Sequence, residues 1–190
     1  MSSVFAHTAI AVGIWRQRPL SWLLLFFITA FCWLPDMDYG LRWLFDYRPP
    51  YRWSHSIVFV TAIWGVFAIG LTFLTKHFKL GLPIKLILLL TLVAGYSHLF
   101  MDWIIGSSWG DPLLWPFDTT EYSSPFGILP SSPKFSQSNI HMYKNLAIEG
   151  GIIGPIAFTM IRKGKVPAWA WALMGLIFVP FFLWGVSLPR

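Results

Sequence analysis

The sequence predicts an all-α fold, a polytopic membrane helical bundle of about five spanning helices preceded by a short N-terminal helix. Three observations lead there. Hydrophobic residues make up 56% of the chain and charged residues only 12%, with a mean hydropathy of +0.60, outside the usual balance of a soluble domain. Several apolar runs approach the roughly 20 residues that cross about 30 Å of hydrocarbon as helix. Finally, the carboxylates avoid every other polar gap between those runs, a sidedness that membrane topology explains and solubility does not.

The first apolar stretch, 4–15, is too short to span alone. It can pack inside the protein or enter as a partial span, because a helix satisfies its own backbone groups. Arg16 and Arg18 follow this stretch instead of preceding it, the reverse of a cleaved signal, so the segment is expected to be retained. Runs 20–34, 54–75, 82–105 and 167–187 are the stronger spans, and 144–161 is a shorter fifth, bounded by Lys144 and the Arg162-Lys163 pair. Pro35 reads as the exit of the second segment, and Ser54 as the N-cap of the third. No second domain, low-complexity tail or repeat separates off. Residues 1–190 therefore read as one integral-membrane domain with a long connection, 106–143, rich in Gly, Pro and Ser. Its apolar tracts, 112–117 and 125–130, suit a segment lying on the membrane surface.

Charge orients the bundle. Arg16 and Arg18, then Lys76, Lys79 and Lys85, then Arg162, Lys163 and Lys165 occupy gaps without an acidic residue, which marks those gaps as cytoplasmic. Asp36, Asp38, Asp46, Asp102, Asp111, Asp118, Glu121 and Glu149 all fall on the opposite side. Trp33, Trp43, Trp53, Trp103, Trp109 and Trp115 cluster at that outer boundary as an aromatic belt would. The net charge of +6 is dispersed along the chain and forms no basic face, so no nucleic-acid partner is implied. Cys32, the only cysteine, excludes an intramolecular disulfide and a thiolate cluster and suits core packing.

Chemistry concentrates at the same outer depth. In S-H-L-F-M-D, 97–102, His98 and Asp102 are four apart and share a helix face. Pro35-Asp36-Met37-Asp38 ends the second segment, His55 opens the third, and His7 begins the first helix. His7, Asp36, Asp38, His55, His98 and Asp102 thus converge from separate segments. Ionisable groups at a bilayer are expensive and usually paired or functional. A His/carboxylate set without thiolates suits a divalent transition metal, Zn or Mn foremost. Three carboxylates would offset most of the charge of a pair of such ions, so a binuclear centre is expected. Arg52 is placed to clamp a phosphate oxygen or to pair with Asp46 or a lipid headgroup. Glu149, beside Gly150-Gly151, is a candidate further ligand or general base. His141 and Asp118 are weaker candidates on the outer side, and His77 belongs to the cytoplasmic side. GxSxG, Walker, GxGxxG and HExxH motifs are absent from the sequence.

HTAIAVG near the start, LPDMD, SHS, YSHLFMD and LLWPF together resemble the YdjM-like family of inner-membrane proteins, described as metal-dependent hydrolases and LexA-regulated in some members. The similarity runs from His7 to about Pro130. The family's PDxD matches Pro35, Asp36 and Asp38, its THS matches Ser54-His55-Ser56, and its HxxxD matches His98 and Asp102. Its His-Arg dipeptide before THS is represented here by Tyr51-Arg52. The resemblance implies hydrolysis in a bacterial or archaeal cytoplasmic membrane, without naming a substrate. A centre at the outer interface suits an amphiphilic ester, a phospholipid or a lipid-linked phosphate that reaches it from the leaflet. The competing readings are a proton or divalent-cation transporter and a non-catalytic, metal-stabilised membrane scaffold. Transport fits less well because the inner halves of the segments contain almost no polar groups to form a path.

The charge asymmetry makes a direct prediction. In a Cys32→Ser background, a membrane-impermeant thiol reagent is expected to modify Ser131→Cys in intact cells and to spare Gly164→Cys until the membrane is opened. The opposite pattern would invert the threading.

Overall fold

Among the residues that the computed structural model describes, 4–17, 22–46, 51–79, 81–104, 110–125, 127–128, 140–162 and 165–188, the chain forms seven α-helices and no strand. They are α1 Val4–Gln17, α2 Trp22–Trp33, α3 Met37–Phe45, α4 Ile57–His77, α5 Ile84–Trp103, α6 Ile140–Ile161 and α7 Ala168–Ser187. Among the described residues, four stretches are long and apolar enough to cross a membrane: Trp22–Arg42, Ile57–His77, Ile84–Trp103 and Ala168–Ser187. α6, which contains the expected 144–161 segment, has the length at 22 residues, while Lys144, Asn145 and Glu149 make it more polar than those four. Arg18, Trp109, Ser131, Lys163 and Gly164 lie outside the described residues.

Two local expectations are corrected. Pro35 does not end the second segment. A proline cannot donate the backbone hydrogen bond of an α-helix, so the chain tightens into a 3-10 turn over Leu34–Asp36 and resumes at once as α3. Likewise, Ser54 is not the N-cap of α4. Ser54 and His55 belong to a 3-10 turn, Trp53–His55, closed by the His55 N–H donating to the Arg52 carbonyl at 2.8 Å. Ser56 is the cap: its backbone is extended, at φ −96° and ψ 145°, and its hydroxyl accepts from the Phe59 N–H at 3.0 Å.

α1 is short yet central. It packs against α2, α5 and α6, while α2 packs on α5, α4 on α5, and α6 on α7. One apolar cluster joins Ala11 and Ile14 of α1 to Leu24, Ile28 and Phe31 of α2 and to Leu71, Ile87 and Ala94 of α4 and α5. A second joins Ala6 to Met101, Ile148, Ile152 and Ile153. Outward, α4 and α7 present Val66, Ile69, Leu176 and Leu183, all exposed. In hydrocarbon such side chains gain nothing by meeting one another, and close backbone approach must supply the attraction between helices. Gly95, against Val60 Cγ1, provides one such approach between α5 and α4.

The connection between α5 and α6 is folded in part of its described residues. Asp111 and Tyr122 pair as an antiparallel bridge, with Asp111 N–H to Tyr122 O at 3.1 Å and Tyr122 N–H to Asp111 O at 2.9 Å. The segment also serves helix ends, where backbone groups lack partners within the helix. The Ile57 N–H, first of α4, donates to the Leu113 carbonyl at 2.9 Å. The Trp103 and Ile104 carbonyls, at the end of α5, accept from the N–H groups of Ser124 and Ile128 at 3.2 and 2.8 Å.

Gly110 permits the bridge, since a Cβ there would lie 2.7 Å from the Glu121 and Tyr122 backbone. Gly110→Ala is therefore expected to cost about 1–3 kcal/mol, seen as a lower thermal midpoint in detergent and faster proteolysis within 110–125. Gly70→Ala, which meets open space on α4, is expected to be neutral or stabilising. Equal midpoints for the two variants would dismiss this account of the outer segment.

Candidate metal centre

The centre is assembled at one end of the helices from the 3-10 turn after α2, the turn before α4, the end of α5 and the start of α1. One ligand atom each from Asp36, His55, His98 and Asp102 lies within 4.8 Å of the others. Helix periodicity sets the last two side by side: His98 Nε2 is 3.7 Å from Asp102 Oδ2. His55 Nε2 comes to 3.3 Å from the same oxygen and 3.4 Å from His98 Nε2. Asp36 Oδ1 completes the group at 3.5 Å from His55 Nε2 and 3.7 Å from His98 Nε2.

The remaining two expected ligands flank this group. His7 is fully buried, stacks on His98 with ring centroids 3.7 Å apart and an interplanar angle of 8°, and places Nε2 3.6 Å from Asp102 Oδ1. The two oxygens of Asp102 thus face different imidazoles. Asp38 accepts from the Tyr39 N–H at 2.9 Å through Oδ1 and turns Oδ2 toward His55 Nδ1 at 3.8 Å.

Arg52 threads through the cluster. Its Nε is 3.5 Å from Asp38 Oδ2, its Nη2 is 3.6 Å from Asp102 Oδ2 and 3.8 Å from Asp36 Oδ1, and Nη2 also contacts His55 Nε2. Nη1 donates to Asp111 Oδ1 at 3.0 Å, and the Tyr39 ring lies beneath the guanidinium, 5.6 Å from its carbon. Asp46, one partner considered from sequence, is not among these contacts: it is exposed, in a left-handed backbone conformation after α3. Burial works against the Arg52 charge, yet Asp111 and Asp102 outweigh it and raise the pKa. His55 behaves similarly. Burial and then Arg52 push its pKa down, and Asp102 and Asp36 push it up by more. The cluster therefore favours positive charge at this point.

Asp111 is the site residue that sequence reasoning counted only as an outer carboxylate. It is 5% exposed and is brought in by the bridge to Tyr122. Its local signal was Gly110-Asp111-Pro112, a turn-forming triplet in the longest connection. Glu149 is 2% exposed within α6 and stands outside the His/Asp group. Asp118 is engaged elsewhere, holding the Thr120 N–H and hydroxyl and the Tyr122 hydroxyl at 2.7 to 2.9 Å, contacts that lower its pKa. His141 is exposed. His77, at the far end of α4, stacks on Phe73.

The donor set fits a divalent cation. Four carboxylates, Asp36, Asp38, Asp102 and Asp111, face one guanidinium, so with neutral imidazoles the site is net negative. Buried charge left uncompensated is costly. Asp36 Oδ1 is buried without a hydrogen-bond donor, the position of an oxygen whose partner is a cation. No thiolate or backbone carbonyl takes part in the group, and imidazole with carboxylate suits Zn or Mn.

A family model described as YdjM inner membrane protein matches residues 3–187 of the chain. No curated protein and no solved structure matches it.

Elemental analysis of the purified protein is expected to find Zn or Mn. His98→Ala and Asp102→Ala are expected to lose that metal while retaining helical circular dichroism, and Asp118→Ala to keep it. Metal content unchanged in both of the first two variants would rule the centre out.

Proposed function

The chain belongs to the YdjM inner membrane protein family, and from that premise we propose that it is a membrane-embedded, metal-dependent hydrolase acting on an amphiphilic phosphoester or other lipid-linked ester. The observation that carries this reading is the largely buried, net-negative group of Asp36, His55, His98 and Asp102 at one end of a bundle whose helices are long and apolar enough to cross a membrane. In this proposal those residues hold the first divalent ion. His7, through its approach to Asp102 Oδ1, and Asp38 provide for a second. When bound, a divalent transition metal supplies Lewis acidity toward a phosphoryl or acyl oxygen and makes water nucleophilic at neutral pH.

The protein's own groups then position the substrate. The Arg52 side chain is 28% exposed and that of Asp36 15%, whereas those of Asp38, Asp102 and Asp111 are 7% or less and those of the imidazoles 0%. An approaching molecule therefore meets the guanidinium early. Asp111 fixes one arm of that fork and the other lies against His55, Asp36 and Asp102; in this proposal a phosphate or carboxylate oxygen replaces the longer carboxylate contacts at this planar donor. The carboxylate sidedness of the sequence supports an outward-facing site, reached from the outer leaflet of the cytoplasmic membrane. Glu149, a buried carboxylate on α6, enters as the candidate general base. Glu149→Gln tests that role while preserving side-chain shape.

With metal-loaded protein and a panel of phosphoester lipids, Asp38→Ala is expected to fall to background. Arg52→Lys is expected to retain activity reduced about tenfold, as the loss of one charge-assisted hydrogen bond would cost. His77→Ala, at the opposite end of α4, is expected to match the wild type. An Asp38→Ala protein as active as the wild type on every substrate found would defeat the catalytic reading and favour a metal-stabilised scaffold.

A further inference from the structure

His98 is held by more than its helix. Its Nδ1 lies 2.7 Å from the carbonyl oxygen of Cys32, deep between α5 and α2, where both residues are fully buried. A carbonyl oxygen can only accept. Nδ1 therefore carries a proton, and in the neutral ring Nε2, which faces His55, Asp36 and Asp102, presents a lone pair to the cluster.

A carbonyl within a helix is ordinarily occupied by the N–H four residues on, so the availability of this one needs a cause. The cause lies three residues downstream. The chain enters the 3-10 turn Leu34–Asp36, whose closing bond runs from the Met37 N–H to the Leu34 carbonyl. In that pattern each N–H reaches three residues back, which sends the Asp36 N–H to Trp33 and leaves Cys32 to be served by residue 35. Residue 35 is proline and has no N–H. The Cys32 carbonyl is thus released from the helix at the point where α2 passes His98.

We propose that Pro35 is a positioning residue of the metal centre: by withholding a backbone donor from the Cys32 carbonyl, it gives His98 Nδ1–H its acceptor and sets the tautomer in which Nε2 is the ligand atom. Metal-binding imidazoles commonly donate their second nitrogen to a carbonyl or carboxylate, which fixes ring orientation and raises ligand basicity. Here the acceptor is a backbone group freed by the 3-10 turn, and the same turn places Asp36 in the ligand set. Cys32 also ties in α1, since its thiol donates to the His7 carbonyl at 3.3 Å. The inference rests on the His/Asp group being a metal centre, yet its first test needs no metal.

The chain has a single cysteine, so carbonyl-13C cysteine labels one carbonyl only. Combined with ring-15N histidine, metal-free protein in bilayers is expected to show a magnetisation-transfer contact between that carbonyl and a protonated Nδ1. The contact is expected to vanish in His98→Ala. The partner Nε2 should be unprotonated, and its signal alone of the two should move directly on adding Zn. A protonated Nε2 in the wild type would overturn the proposal even if metal binds. A correct tautomer with no Zn binding would instead sink the metal-centre reading and leave the hydrogen bond standing.

Two variants separate positioning from ligation. Pro35→Ala restores a donor, and is expected to mix the His98 tautomers and weaken Zn affinity about 10- to 100-fold. Asp36→Asn is expected to weaken Zn while keeping the Nδ1–H tautomer. If Pro35→Ala does not fold, the wild-type tautomer and the Asp36→Asn comparison still decide the matter. A folded Pro35→Ala protein with wild-type tautomer and affinity would refute it.

Discussion

Asp102 is the group on which the rest of the structure depends. Its carboxylate is nearly inaccessible at the end of a helix long and apolar enough to cross a membrane, where an isolated negative charge would cost several kcal/mol, a large share of the net stability of a domain. It is tolerated because its two oxygens are divided among His7 on one side and His55, His98 and Arg52 on the other. The partners come from three stretches of chain: His7 from α1, Arg52 and His55 from the turn before α4, and His98 from α5 itself. Burying this one carboxylate therefore requires α1, the turn before α4 and α5 to meet at one depth, and it explains why a helix as short as α1 sits in the centre of the bundle.

Much of this was legible in the sequence because it is local or additive. The four-residue spacing of His98 and Asp102 and the apolar run lengths each follow from a period or a sum. The helices they imply are the ones found. What escaped was decided by which partner completes a hydrogen bond. Ser54 and Ser56 are equally good caps by type, and the choice falls on Ser56 because the turn from Arg52 to His55 has already claimed Ser54. Pro35 can end a helix or kink it. Here α3 resumes, so Asp36 and Asp38 lie in one nearly continuous helical run and not in a free loop. Asp111 had no periodicity to announce it, and its burial follows from a bridge eleven residues wide between Asp111 and Tyr122.

The segment after α5 shows how such a long-range contact is stabilised. A connection folded over a site gains little if its own backbone must be dehydrated without compensation. This one spends its hydrogen bonds on helix ends that need them: Leu113 receives the first N–H of α4, and Ser124 and Ile128 supply donors to the last carbonyls of α5. The contacts that terminate two helices thus also carry Asp111 to Arg52. Termination and site assembly are the same set of bonds, so a change in the outer segment reaches the guanidinium without touching any residue of the His/Asp group.

The same economy operates on the opposite side of the cluster. A proline in a bilayer-crossing segment releases carbonyls that hydrocarbon cannot solvate, and they must be satisfied within the protein. Satisfying one of them with the Nδ1–H of His98 turns a backbone defect into a constraint on an imidazole that faces three other ionisable groups. A straight helix at residues 31–36 would remove the defect and with it both the acceptor and the position of Asp36. The kink and the cluster therefore stabilise each other: the polar site supplies the partner that the broken helix lacks, and the broken helix supplies the geometry that lets imidazoles and carboxylates face one another inside the bundle.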